Sequence, residues 1–109
     1  MESLKKYKAK GFVHGRYWGG GKGSYKANNV YAETKDALIK KINDGIANGT
    51  LDGGMGYETV LGAIMVITTI TTITYEGKPY TNEETEVEFF GNLSDDDKNF
   101  LDNVLMNVE

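Results

Sequence analysis

The run Val66-Ile67-Thr68-Thr69-Ile70-Thr71-Thr72-Ile73-Thr74 decides the fold. All nine side chains branch at Cβ, which suits a pleated strand and crowds a helical turn. This stretch therefore reads as a strand over residues 66–75. Glu76-Gly77-Lys78-Pro79 then turns the chain, and residues 80–90 return beside it. On the returning strand Val87 and Phe89 face one way, and Glu84, Glu86 and Glu88 face the other. The two segments make a hairpin.

A second hairpin is legible upstream. Lys6, Lys8 and Lys10 alternate with Tyr7 and Ala9, the period of a strand, over residues 6–18. Gly19-Gly20-Gly21-Lys22-Gly23 interrupts it, and residues 24–32 resume, with Tyr25, Ala27, Asn29 and Tyr31 expected on one side. Two helices complete the chain. The first carries Thr34 as N-cap, Asp36 in its first turn, an apolar stripe of Leu38, Ile42 and Ile46, and a stop at Asn48-Gly49. The second follows Ser94, which forms a capping box with Asp97, and carries Phe100, Leu101, Val104, Leu105 and Val108. Residues 57–65 fit either a short helix or a strand. The expected architecture is a single α+β domain over residues 1–109. It is a two-layer sandwich: an antiparallel four-stranded sheet with both amphipathic helices on one face, in the order ββα-ββα.

Composition narrows the chemistry. The 109 residues contain no cysteine and one histidine. That excludes a disulfide framework, a cysteine zinc site and a thiol nucleophile. No run of about 18 apolar residues predicts a membrane helix, and the N-terminal sequence lacks a secretory apolar core. A cytoplasmic protein without membrane partners is expected. The net charge of −4 hides an asymmetry: residues 1–41 carry ten basic and three acidic side chains, residues 42–109 two basic and thirteen acidic. Only a basic face left unneutralised by folding would support nucleic-acid binding, so direct DNA binding is not expected.

The most suggestive stretch is Arg16-Tyr17-Trp18-Gly19-Gly20-Gly21-Lys22-Gly23-Ser24-Tyr25. Successive glycine N–H groups can line an anion site, Arg16, Lys22 and the following Lys26 can meet phosphate charge, and Tyr17, Trp18 and Tyr25 can stack on a base. The phosphate-loop pattern fails, because Gly23 follows Lys22 where Ser or Thr is required. A plain hairpin tip is the competing reading. A second loop, Asp52-Gly53-Gly54-Met55-Gly56-Tyr57-Glu58, adds Asp52 and Tyr57 as candidate ligand contacts. His14 has no nucleophile beside it in sequence. Asp95-Asp96-Asp97 is accounted for by a helix start. Neither catalytic nor metal residues, and no cofactor, are expected.

In composition the chain resembles small accessory proteins of phages and prophages, some of which block host immunity; that likeness transfers no site residue. Two functions follow as expectations. One is a non-catalytic binder of a nucleotide-like small ligand, such as a sequestered host signalling nucleotide. The other is an acidic interaction module, anti-CRISPR-like or a nucleic-acid mimic, that acts on a host protein through Glu84, Glu86 and Glu88. In either case a homodimer or larger assembly is expected from the abundance of tyrosine and of apolar strand.

Overall fold

A computed structural model describes residues 2–51 and 59–107. Strand β1 (Glu2–Arg16) is followed by β2 (Lys22–Lys26) and β3 (Val30–Ala32), then helix α1 (Lys35–Asn48), strands β4 (Thr59–Tyr75) and β5 (Lys78–Gly91), and helix α2 (Asp95–Asn107). All pairings are antiparallel, in the order β2-β1-β4-β5, with β3 beside β1 on the same edge as β2. The α+β class and the antiparallel sheet agree with the sequence. The count does not: the described residues form five strands, in the order βββαββα.

The expected upstream return strand is broken in two. Lys26 pairs with Phe12 and Val30 with Ala9. Three residues, Ala27 to Asn29, therefore oppose only Lys10 and Gly11. The extra residue flips the alternation. Tyr25, opposite Val13, and Tyr31, opposite Lys8, consequently lie on different faces, not on one side as the spacing suggested.

The helices also depart from expectation, since they cover opposite faces of the sheet. Leu38 and Ile42 of α1 pack with Ala9, Val13, Ala63, Met65 and Ile67, while Lys35 reaches Glu86 and Glu88 on the same side. Helix α2 lies on the other side, where Asp97 meets His14, Phe100 meets the His14 ring, and Lys98 sits over Phe89. The reason is written in the middle of β4. Ala63, Ile64, Met65 and Ile67 are all fully buried, so both faces of the strand need a cover. One helix layer cannot supply it.

Helix α1 matches its sequence reading. The Ala37 N–H donates to Thr34 Oγ1 at 3.1 Å, and Gly49 adopts the left-handed conformation with φ 68°. The ambiguous segment resolves as far as it is described, with Thr59 to Met65 belonging to β4. Gly11 is needed where it stands. A Cβ there would collide with the Ile64 carbonyl of the neighbouring strand, so β1 and β4 approach more closely than any side chain would allow.

Away from the helices the sheet continues uncovered. Residues 78–87 of β5 and residues 3–6 of β1 are exposed, and the molecule measures 59 × 26 × 19 Å.

Candidate functional site

The glycine-rich segment forms the tip of the β1–β2 hairpin. The Tyr17 N–H donates to the Gly21 carbonyl at 2.7 Å, and the Gly20 N–H to the Tyr17 carbonyl at 2.9 Å. Gly20 takes φ 91°. The turn does not use the Trp18 and Gly19 amides in its own hydrogen bonds. Trp18 is 76% exposed, so this indole anchors no core. Among the described residues, nothing lies within 4 Å of a Cβ built on Gly19 or Gly20, so a ligand could approach the backbone closely at both.

The strand alternation sorts the remaining candidates. Arg16 pairs with Lys22, and both project toward the α2 face. Tyr17 lies across Gly23, where a Cβ would strike its ring, and meets Tyr25 edge-on with ring centroids 6.2 Å apart. That tyrosine pair occupies the opposite face. The structure thus brings Arg16 and Lys22 together on one face below the tip, sets Tyr17 and Tyr25 on the other, and leaves Trp18 exposed in the turn itself. Asp52 and Tyr57 lie outside the described residues, as do Glu58 and Val108.

Beneath the tip is a cluster that spacing could not reveal. His14 is 2% exposed, and its Nε2 lies 3.1 Å from Asp97 Oδ1. Lys22 Nζ donates to the same oxygen at 3.2 Å. The other carboxylate oxygen, Oδ2, accepts from the Ser94 N–H at 3.4 Å, while the Asp97 N–H donates to Ser94 Oγ at 3.2 Å. The capping box read from sequence is therefore present, but its acid also holds two groups from the hairpin. Burial alone would push the Asp97 carboxyl up. Hydrogen bonds from Lys22, Ser94 and His14 outweigh it and hold the group below its ordinary range. His14 Nδ1 is buried with no partner. The residues that meet here are 75 and 83 positions apart in the chain. The visible signals were an acid inside a cap and a lone histidine, each with a sufficient local explanation.

The acidic strand face is as expected, with Glu84, Glu86 and Glu88 opposite Thr69, Ile67 and Met65. It is not left bare. Lys35 Nζ lies 2.6 Å from Glu86 and 3.6 Å from Glu88. Among the described residues, no group of histidine, cysteine and carboxylate side chains could hold a metal ion. None of their helices is long and apolar enough to cross a membrane.

No protein-family model, curated protein or solved structure matches this chain.

Proposed function

We propose that the chain is a non-catalytic binding protein for a nucleotide-like small ligand, held at the tip of the β1–β2 hairpin on its α2 side. The exposed indole of Trp18, beside open glycine backbone, carries this reading. A large aromatic left 76% exposed at a hairpin tip contributes little to the fold and offers a face for a base. Arg16, which has no ion-pair carboxylate among the described residues, and Lys22, whose side chain is 43% exposed, stand where a phosphate would follow. Asp97 tempers Lys22 and fixes its position. The biological role that fits is sequestration of a signalling nucleotide, as an accessory protein of a phage or prophage would perform it.

Trp18 fluorescence, titrated with mononucleotides and cyclic nucleotides, tests this directly. Saturable quenching or enhancement is expected. Trp18→Ala should lose about 1–3 kcal/mol of binding while the melting temperature barely moves, and Lys22→Ala should weaken phosphate-bearing ligands only. A parent protein whose fluorescence and melting temperature ignore every nucleotide would overturn the proposal. The acidic-module reading is weaker, because α1 already supplies a cation to two of its three glutamates.

A further inference from the structure

Lys6, Lys8 and Lys10 stand two residues apart on β1, so all three project from the same face of the sheet, about 6.7 Å from one to the next. Their cross-strand neighbours on β4 are Ile70, Thr68 and Val66, none of them charged. On β5 the carboxylate on that face in these rows is Glu83, two strands away, while Glu33 lies beside Lys6 at one end of the strip. Among the described residues, none of the three lysines has an ion-pair partner. Lys8 and Lys10 therefore leave a run of positive charge along this strip, with Glu33 at its Lys6 end.

An aromatic ring stands beside the strip. Tyr31 of β3 pairs with Lys8 and is 60% exposed. It lies between two shallow clefts. One, of about 200 Å³, is lined by Lys8, Lys10 and Asn29 with Ala9 at its floor. The other, of about 310 Å³, is lined by Lys6, Tyr7 and Lys41 together with Glu33. The first cleft lies where the extra residue between β2 and β3 parts the edge strands from Lys10.

We infer that this edge binds a single-stranded nucleic acid, with a base stacked on Tyr31 and successive phosphates met by Lys6, Lys8 and Lys10. The ring argues for a single strand, because a duplex keeps its bases stacked on one another and has none to offer an exposed tyrosine. The regular cation spacing argues for an extended polyanion over one phosphate group. Asn29, at the cleft wall, supplies an amide for a base edge. This surface is separate from the hairpin tip, which lies roughly 25 Å further along β1 at about 3.3 Å per residue.

The experiment is anisotropy of a labelled oligothymidylate and a labelled oligouridylate, each of about ten nucleotides, across a salt series. Parent protein should bind with a log–log salt slope of about −2 to −3, since each phosphate neutralised on a single strand contributes about −0.7. The triple variant Lys6→Gln, Lys8→Gln, Lys10→Gln should bind at least about tenfold more weakly and lose about two units of slope. Tyr31→Ala should cost about tenfold with the slope unchanged, and Tyr31→Phe should restore it. Lys40→Gln, which removes an exposed lysine of α1 on the other face of the sheet, should bind as the parent does, which separates this strip from a general effect of charge. Circular dichroism of the exposed-lysine variant should match the parent. The inference is overturned if the parent ignores both oligonucleotides at low salt, or if the triple variant binds equally well. It is also overturned if only phosphatidylserine vesicles are captured, or if the triple variant changes the mass in solution, which would make the strip a contact between copies.

Discussion

Asp97 joins three parts of the molecule through one carboxylate: the start of α2, His14 near the end of β1, and Lys22 at the base of the hairpin. Replacing it with Ala removes the acceptor for the Ser94 N–H in the capping box, worth up to about 1 kcal/mol, and leaves buried His14 without a partner, worth about 1–3 kcal/mol more. A loss of roughly 1–4 kcal/mol by urea denaturation is expected. Asp97→Asn, which keeps an acceptor, should lose less. Its pH dependence follows from the lowered carboxyl. A group whose folded pKa lies below its unfolded value of 3.8 stabilises fully above that value, and the contribution fades as pH falls through the lower folded one. Below about pH 4 the parent should therefore lose stability more steeply than Asp97→Asn. Parallel pH profiles for the two would show that the carboxylate contributes nothing. Sequence made half of this site legible. Ser94 and Asp97 announced their cap at a spacing of three, but contacts across 75 and 83 residues leave no local trace.

At the level of elements, legibility followed the strength of the periodic signal. The branched run at 66–74 and the stripe of α1 are long, uninterrupted patterns that sterics and burial enforce, and both stand as read. The β2–β3 return was misjudged because one additional residue reverses every side chain beyond it, and no residue type marks that insertion. The placement of both helices on one face failed for another reason. Helix stripes show that a helix is covered on one side, but the burial of adjacent β4 residues decides which side of the sheet does the covering. The β4–β5 turn is narrower than the four residues that sequence suggested. Glu76 and Gly77 alone make it, with φ of 52° and 77°. A hairpin turn with two left-handed residues favours Asn-Gly, and a glutamate there bears a cost of about 1 kcal/mol. Glu76→Asn should accordingly raise the melting temperature by a few degrees. A decrease would mean that the Glu76 side chain has a stabilising partner.

Taken whole, the chain is too extended for its mass. It exposes 7021 Å², where a compact monomer of this size exposes about 6,000 Å². Its radius of gyration is 15.9 Å, against about 13 Å for a compact chain of this length. The excess is close to the roughly 800 Å² that one partner contributes to a standard interface. Leu4, Tyr75, Tyr80 and Val87, each at least half exposed, lie on the uncovered arm. We expect a homodimer or larger assembly. Light scattering should return a multiple of 12.0 kDa, and a 12.0 kDa particle at every accessible concentration would count against it.

The pairing of β1 with β4 has a further consequence, for how the chain finds this shape. Each hairpin closes on itself within a few residues, but the seam between them joins positions as far apart as Glu2 and Thr74, and none nearer than Arg16 and Thr59. Closing so long a loop loses chain entropy before any contact compensates. Folding is then limited by the meeting of two preformed halves, and a nascent chain holds β1 without its main partner until β4 has been synthesised. Stopped-flow refolding should show Val13→Ala, at the buried centre of the seam, slowing the folding rate. Glu76→Asn, which acts within a half already formed at that step, should raise the folding rate and leave unfolding nearly unchanged.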